Sequence, residues 1–360
     1  MIDSVISRPP PSSAPAPGVL ARWWQDLLPS PRLNLALQGG GAHGAFTWGV
    51  LDALLDDPRV RFEGFSGSSA GAMNAVVFAD GWMKGGRDGA RQGLADFWNW
   101  VGKQMPASLV SNGEAEAISL SPAGRMLVDW AGHFSPWQLN PFELNPLRDH
   151  LVRQVDFEGL RARSPFKLFV GATQANSGKL RMFREGELSV EMLLASACLP
   201  KINHPVEIDG QPYWDGGYSA NPAVFPLFYD CDSRDVLLVL LSPLDREGTP
   251  RTVQEIDSRI VELAFSANFM REMRMFATAT EFSASLPLGR LERRLQKMRF
   301  HMVDASRLPS LERSETKLLA HGPFLELLRG QGRERGRAWL AEHFDGVGRR
   351  STIDLNERFA

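Results

Sequence analysis

Cysteine is scarce. The 360 residues hold two, Cys198 and Cys231, too few for a disulfide framework, so a reducing compartment is expected. Long apolar runs are missing, and none has the length a bilayer-crossing helix needs. The start, Met1-Ile2-Asp3, lacks the basic stretch and apolar core of a secretory signal. The expected placement is therefore cytoplasmic, with peripheral contact at a membrane surface as the variant. A surplus of one charge is also lacking: 40 Lys and Arg face 42 Asp and Glu, giving a net charge of −2. Nucleic acid would leave a basic patch or a basic, aromatic strand, so no nucleic-acid partner is expected. No internal repeat is found, and no His, Cys, Asp or Glu cluster has metal-ligand spacing.

What is present concentrates between residues 33 and 80. Leu33-Asn34-Leu35-Ala36-Leu37 reads as a short strand that empties into Gln38-Gly39-Gly40-Gly41-Ala42-His43-Gly44. A helix follows with Phe46, Val50 and Leu54 on one face, and Pro58 marks its end. Three glycines let the backbone turn sharply and leave amide N–H groups uncovered, while the helix behind them presents its positive end. That combination is an anion site. A second strand over 60–65 leads to Gly67-Ser68-Ser69-Ala70-Gly71, a G-x-S-x-G turn. Small residues at Gly67 and Gly71 let strand and helix close up and lift Ser69 onto the tip. A raised serine beside an oxyanion-binding loop is the apparatus of acyl transfer. The small-residue helix after it is expected to stop at Gly81.

The remaining chain supplies a frame. Residues 8–18, rich in Pro, Ser and Ala, read as a disordered leader. Leu20, Trp23, Trp24 and Leu27 then share one helical face, docked on the main domain or, alternatively, anchored in a lipid interface. Together these make residues 1–31 a leader segment. A patterned catalytic region spans 32–241. Within it, residues 103–146 form an irregular insertion in which prolines alternate with Trp130, Phe134, Trp137 and Phe142. It is expected to be short helices joined by turns, either a lid or a small cap with its own core. Strands are expected over 166–172 and 180–183. A hairpin across Asp209-Gly210 delivers Asp215-Gly216-Gly217, and 235–241 is a doubly buried strand. A helical part spans 242–345. Its long helix from Val253 carries a stripe of Phe265, Phe269, Met273 and Phe276, which either packs in the core or lines an acyl tunnel. Two separate helices are expected over 314–329 and 334–344, and a mobile tail over 346–360. Strand and helix alternate with functional turns after strand C-termini. The expected fold is thus α/β, a three-layer sandwich with a mainly parallel central sheet between helices.

Two rival chemistries fit parts of this pattern. Gly39-x-Gly41-x-x-Gly44 satisfies a dinucleotide fingerprint. That reading needs an acid at the end of the second strand to hold a ribose, where Phe65-Ser66-Gly67 stands instead. A Ser-His-acid triad of the α/β-hydrolase kind needs a serine later in the sheet and a downstream histidine. His301, His321 and His343 stand in no such context, and His43 is more at home shaping the loop.

The ordered trio GGGAHG, GSSAG and DGG resembles the patatin-like phospholipase family, over residues 33 to about 241. Ala195-Ser196-Ala197-Cys198-Leu199-Pro200 and Tyr213-Trp214-Asp215-Gly216-Gly217 are similar to its bacterial members. The resemblance implies Ser69 as nucleophile and Asp215 as proton acceptor, a dyad without histidine. It implies oxyanion amides from Gly39, Gly40, Gly41 and Ala42, with Gly44, Gly67, Gly71, Gly216 and Gly217 completing the motifs. The expected substrate is a lipid ester, hydrolysed as by a phospholipase A or lysophospholipase, with no metal and no cofactor. Acyl transfer to an alcohol, or lipid binding without turnover, are the alternatives on the same fold.

Overall fold

A computed structural model describes residues 31–111, 118–246, 248–285, 289–312 and 314–359. The expected leader and its Trp23-Trp24 helix lie outside the described residues. The strands are β1 (Arg32–Leu37), β2 (Arg61–Gly67), β3 (Lys167–Gln174), β4 (Leu180–Arg184), β5 (Val206–Ile208), β6 (Gln211–Asp215), β7 (Asp235–Leu240) and β8 (Arg299–Asp304). All eight share one sheet in the order β5-β6-β3-β2-β1-β7-β8, with β4 paired to β3. The run β3-β2-β1-β7-β8 is parallel, and the hairpin strands β4, β5 and β6 are antiparallel.

Alternation along the strands sends side chains to two cores, as the pleat requires. Leu33, Leu35, Leu37, Leu237 and Val239 enter one. Ala36, Val236, Leu238, Leu240 and Phe300 enter the other. The first core is covered by α1 (Gly44–Asp56) and α2 (Ala70–Val101). Farther along the chain lie α3 (Pro122–Ala131) and α4 (Pro136–Leu139), within the expected insertion, and, after two further short helices over Pro146–Gln154 and Phe157–Arg163, α5 (Val190–Ser196). The second core is covered by α6 (Phe225–Asp230), α7 (Val253–Ser285) and, at the C-terminus, α9 (Leu355–Phe359). Between the last two, α8 (Gly322–His343) returns to the first face. The sandwich has helices on both faces of a mainly parallel sheet. The stripe Phe269, Met273 and Phe276 of α7 is buried in the second core, with Phe276 tilted against Phe300.

Three expectations change, the first two because a glycine that breaks structure in isolation serves packing here. The helix after Ser69 does not stop at Gly81. It runs on, kinks at Gly85 and Gly86, and ends at Val101. Gly81 is the contact between the two arms: a Cβ there would stand 2.4 Å from the carbonyl oxygen of Gly89. Residues 322–343 form one helix rather than parts of two. Its interior Gly332 lies against the backbone of Phe46, so α1 and α8 approach closely, tied further by Arg329 Nε to Asp52 Oδ2 at 2.8 Å.

Third, the expected mobile tail is fastened. Asp235 Oδ1, buried at the start of β7, accepts from Arg299 Nε at 2.9 Å, His301 Nε2 at 3.1 Å and the Gly348 N–H at 2.8 Å. Thr352 N–H donates to the Phe300 carbonyl at 3.0 Å, and Phe359 packs on Phe269. Burial works to raise the Asp235 pKa, but the bonds from His301 and Arg299 outweigh it and hold the carboxyl below 3.8. Its stabilising contribution is therefore complete above that pH and fades in stronger acid. Asp235→Ala would strand Arg299 and His301, and it is expected to cost about 3–5 kcal/mol. A urea midpoint measured near pH 7 checks this, and limited proteolysis should then release the C-terminal segment first.

Candidate active site

Register on β3 explains how two segments far apart in sequence meet. One edge of β3 is taken by β4, which pairs Phe169 through Thr173. The other edge is shared. Strand β2 pairs up to Val170, opposite Gly67, and β6 pairs from Ala172, opposite Asp215. The two C-terminal ends thus arrive head to head, two residues apart on β3. The serine turn leaves from one and the Asp-Gly-Gly turn from the other.

Ser69 sits at the tip of the first turn with φ 54° and ψ −127°, a region that a residue with a Cβ rarely enters. Surrounding bonds hold it there. Its N–H donates to both the carbonyl oxygen and the hydroxyl of Ser196, each at 3.0 Å, and Gly71 N–H donates to Ser68 O at 2.9 Å. Gly67 ends the strand against the backbone of Gly71. A Cβ at Gly71 would stand 2.1 Å from the Leu37 carbonyl oxygen, so α2 starts in contact with the end of β1. Gly71→Ala must push that contact apart and is expected to destabilise by about 1–3 kcal/mol, read as a lowered urea midpoint.

The glycine loop closes on the same point. A Cβ at Gly39 would meet Ser68 O at 2.5 Å and the Ser69 Cβ at 2.8 Å, so the loop backbone lies directly on the serine turn. Gly39, expected among the oxyanion donors, has its N–H taken by Asn221 Oδ1 at 2.7 Å instead. The amides of Gly40, Gly41 and Ala42 donate to no acceptor among the described residues. Gly40 and Gly41 are also reached by solvent. Gly44 starts α1 against Ala70, bringing the N-termini of α1 and α2 together.

Asp215 is 1% exposed. Its backbone is pinned by N–H to Cys198 O and by the Thr173 hydroxyl to its own carbonyl, both 2.8 Å. Its Oδ1 accepts from Gly217 N–H at 2.7 Å. Gly216 and Gly217 form the short turn that follows, packed against Gly171 and against the ring of Phe265. Oδ2 has no partner in full hydrogen-bond geometry. Burial pushes the carboxyl pKa up to about 7, opposed by the Gly217 N–H and the Ser69 hydroxyl. The hydroxyl therefore bears on this carboxyl as a close neighbour rather than through a fully formed bond.

Three of the histidines are engaged elsewhere. His43 is buried, with Nε2 2.7 Å from Thr316 Oγ1; desolvation, then the charge of Lys317, lowers its pKa well below 6.5. His301 serves Asp235, and His204 Nε2 lies 3.2 and 3.0 Å from the carbonyls of Pro136 and Asn140. The ribose-holding acid of the dinucleotide reading has no counterpart. Glu63, the acid of β2, is buried and holds the N–H groups of Asp232 and Ser233.

Three supporting residues escape a reading of the sequence alone. Ser196 lies in the Ala195–Pro200 stretch, where a polar residue between alanines is the available signal. Asn221 stands six residues past Asp215 and holds Gly39 from across the site. Glu272 of α7 has no local signal. Its Oε1 accepts the N–H of Val224 at 2.9 Å and that of Phe225, tying down the far end of the segment that begins at Asp215. Burial raises its pKa to about 7.

Among known proteins, the chain is 29% identical over 188 residues to uncharacterized NTE family proteins of Mycobacterium bovis and Mycobacterium tuberculosis. The match covers 52% of this chain and 43% of theirs, less than half the length of those relatives. The crystal structure of VipD from Legionella pneumophila aligns over 85% of this chain and 67% of that one, at 15% identity and a TM-score of 0.32, too distant a likeness to argue from. Residues 35–228, which hold all three glycine-rich turns, match the patatin-like phospholipase family. The chain belongs to that family, a family of lipid acyl hydrolases.

Proposed function

We propose that the protein hydrolyses fatty-acyl esters of lipids, as a phospholipase A or lysophospholipase does, with Ser69 as nucleophile and Asp215 as its base. One observation carries the reading most. The strained Ser69 turn abuts a buried carboxyl whose pKa has been moved up to about 7. A carboxylate at its ordinary value is a weak match to a serine hydroxyl, and a value near working pH improves the match.

The cycle needs no third residue. Asp215 Oδ2 takes the hydroxyl proton as Ser69 Oγ attacks the ester carbonyl. The carbonyl oxygen becomes an oxyanion facing the uncommitted amides of Gly40, Gly41 and Ala42, at the positive ends of α1 and α2. As the C–O bond breaks, Asp215 returns the proton to the leaving alcohol. Water then gives a proton to Asp215 and attacks the acyl-serine. Fatty acid leaves, and the proton passes back to Ser69. Asn221, by holding Gly39, keeps the loop against Ser69 and acts as a positioning residue.

Incubation with a panel of phospholipid, lysophospholipid and neutral-lipid esters, with product analysis by mass spectrometry, tests the reading. Free fatty acid should appear, and a fluorophosphonate label should map to Ser69. Transfer of the acyl group to an added alcohol instead of water would redefine the reaction. Binding without turnover would reject it.

A further inference from the structure

We infer that the α3–α4 insertion, together with the first turns of α7, is a docking surface for a zwitterionic or neutral lipid interface. The inference rests on the lipid-ester reading above and names where such a substrate would be met.

The two parts reach the same turn by different routes. In the insertion, Met126, Phe142 and Leu144 are 72, 83 and 71% exposed, with Trp130 and Trp137 more than half exposed between them. Single exposed apolar residues are ordinary, but a run of five within one short segment is not. Helix α4 is fastened by His204, which holds the carbonyls of Pro136 and Asn140 and lies 4.8 Å from the Trp137 ring. The His204 carbonyl accepts from Cys198 Sγ, and the Cys198 carbonyl accepts from Asp215 N–H. On α7, Val253, Ile260 and Val261 are exposed. The helix then reaches Phe265, which lies on Gly217 and 4.6 Å from the Tyr218 ring. Each element is thus tied, one by hydrogen bonds and one by packing, to the turn that carries Asp215.

Charge decides the kind of partner. Residues 122–146 carry Arg125 against Asp129 and Glu143, and residues 253–263 carry Arg259 against the exposed Glu255 and Asp257, Glu262 being buried and paired with Arg246. Both parts are net acidic, so an anionic membrane would repel them and the adhesion must be apolar. The protruding groups are single aromatic and aliphatic side chains on short helices, on the turn after α4 and at the start of α7, with tryptophan at two places. They are suited to insertion at a headgroup boundary, where tryptophan has an apolar body and a polar edge. Among the described residues no helix is long and apolar enough to cross a membrane, so the contact is with one surface.

Flotation with phosphatidylcholine vesicles tests this, using the full chain in a Ser69→Ala background so that binding is read without turnover. The parent should float with the vesicles. Adding phosphatidylserine should weaken binding, and raising salt should not abolish it. Met126→Ser with Phe142→Ser should reduce binding by about a hundredfold, while the thermal midpoint stays within a degree or two. Equal binding by parent and double variant would overturn the inference. So would binding that requires anionic lipid, or a double variant that loses a dimer or a protein partner while its lipid binding is unchanged. Failure of wild type to release fatty acid from any member of the lipid-ester panel would sink the proposed activity and leave this binding result standing on its own.

Discussion

Ser69→Ala is expected to lower ester turnover by about 10⁴-fold or more, the scale on which deletion of a serine nucleophile acts in other hydrolases. The variant should fold, because the bonds that hold this turn run through the Ser69 backbone and not its hydroxyl. Ser69→Gly is the sharper experiment. It removes the same hydroxyl, and it also removes the Cβ from a backbone held at φ 54°. Strain of that kind typically costs about 1–3 kcal/mol, offset in part by the extra freedom glycine has when unfolded. The expected result is an inactive protein whose urea midpoint is equal to or above that of wild type. A site built for catalysis stores strain that a merely structural turn would have shed. Retained turnover in either variant would remove Ser69 from the mechanism. A clear loss of stability in Ser69→Gly would show that the turn is not strained.

Much of this is legible in the sequence because the decisive signals are local. Gly39 through Gly44, Gly67 through Gly71 and Asp215 through Gly217 are each a few adjacent residues whose spacing dictates a turn. Each follows a strand whose residues show it plainly. The doubly buried strand is legible in the same way, since β7 is buried throughout from Asp235 to Leu240. Its apolar run begins at Val236. The acid ahead of that run looks incidental in the sequence, yet it is the tie for the C-terminal segment.

What is not legible depends on partners distant in the chain. Gly81 reads as a stop, and the gap expected between the helices at 314–329 and 334–344 holds Gly332, because glycine weakens an isolated helix. Their purpose is visible only once Gly89 and Phe46 lie against them. The C-terminal residues read as a tail because Ser351, Thr352 and Phe359 have no pattern of their own. Their order comes from Phe300, His301 and Phe269. Within the site, the sequence offers four equivalent loop amides. Asn221, from 182 positions away, takes one of them.

Asp215→Asn is expected to act in opposite directions on activity and stability. Turnover should fall by about 10⁴-fold, since asparagine cannot accept the Ser69 proton. In wild type, kcat/KM should rise with pH through about 7 and then level, because only the ionised carboxyl serves as base. Glu272 has a similarly raised value, so its own variant is the control: Glu272→Gln should leave that inflection in place, whatever it does to the magnitude. The stability effect follows from the sign of the Asp215 shift. Below pH 3.8 the folded and unfolded chains both hold the proton, and the substitution should matter little. Between 3.8 and about 7 the unfolded chain has released a proton that the folded one keeps, so each pH unit costs wild type about 1.4 kcal/mol. Above about 7 the accumulated cost approaches about 4 kcal/mol, an upper bound because an amide buried there must also find partners. Asparagine carries no such cost, and its Oδ1 can still accept the Gly217 N–H. At pH 8 the inactive variant should therefore be the more stable protein, by about 2–4 kcal/mol in urea, and at pH 4 the two should nearly coincide. Equal stability at both pH values would mean that the carboxyl titrates normally, and the physical basis for a histidine-free dyad would be lost.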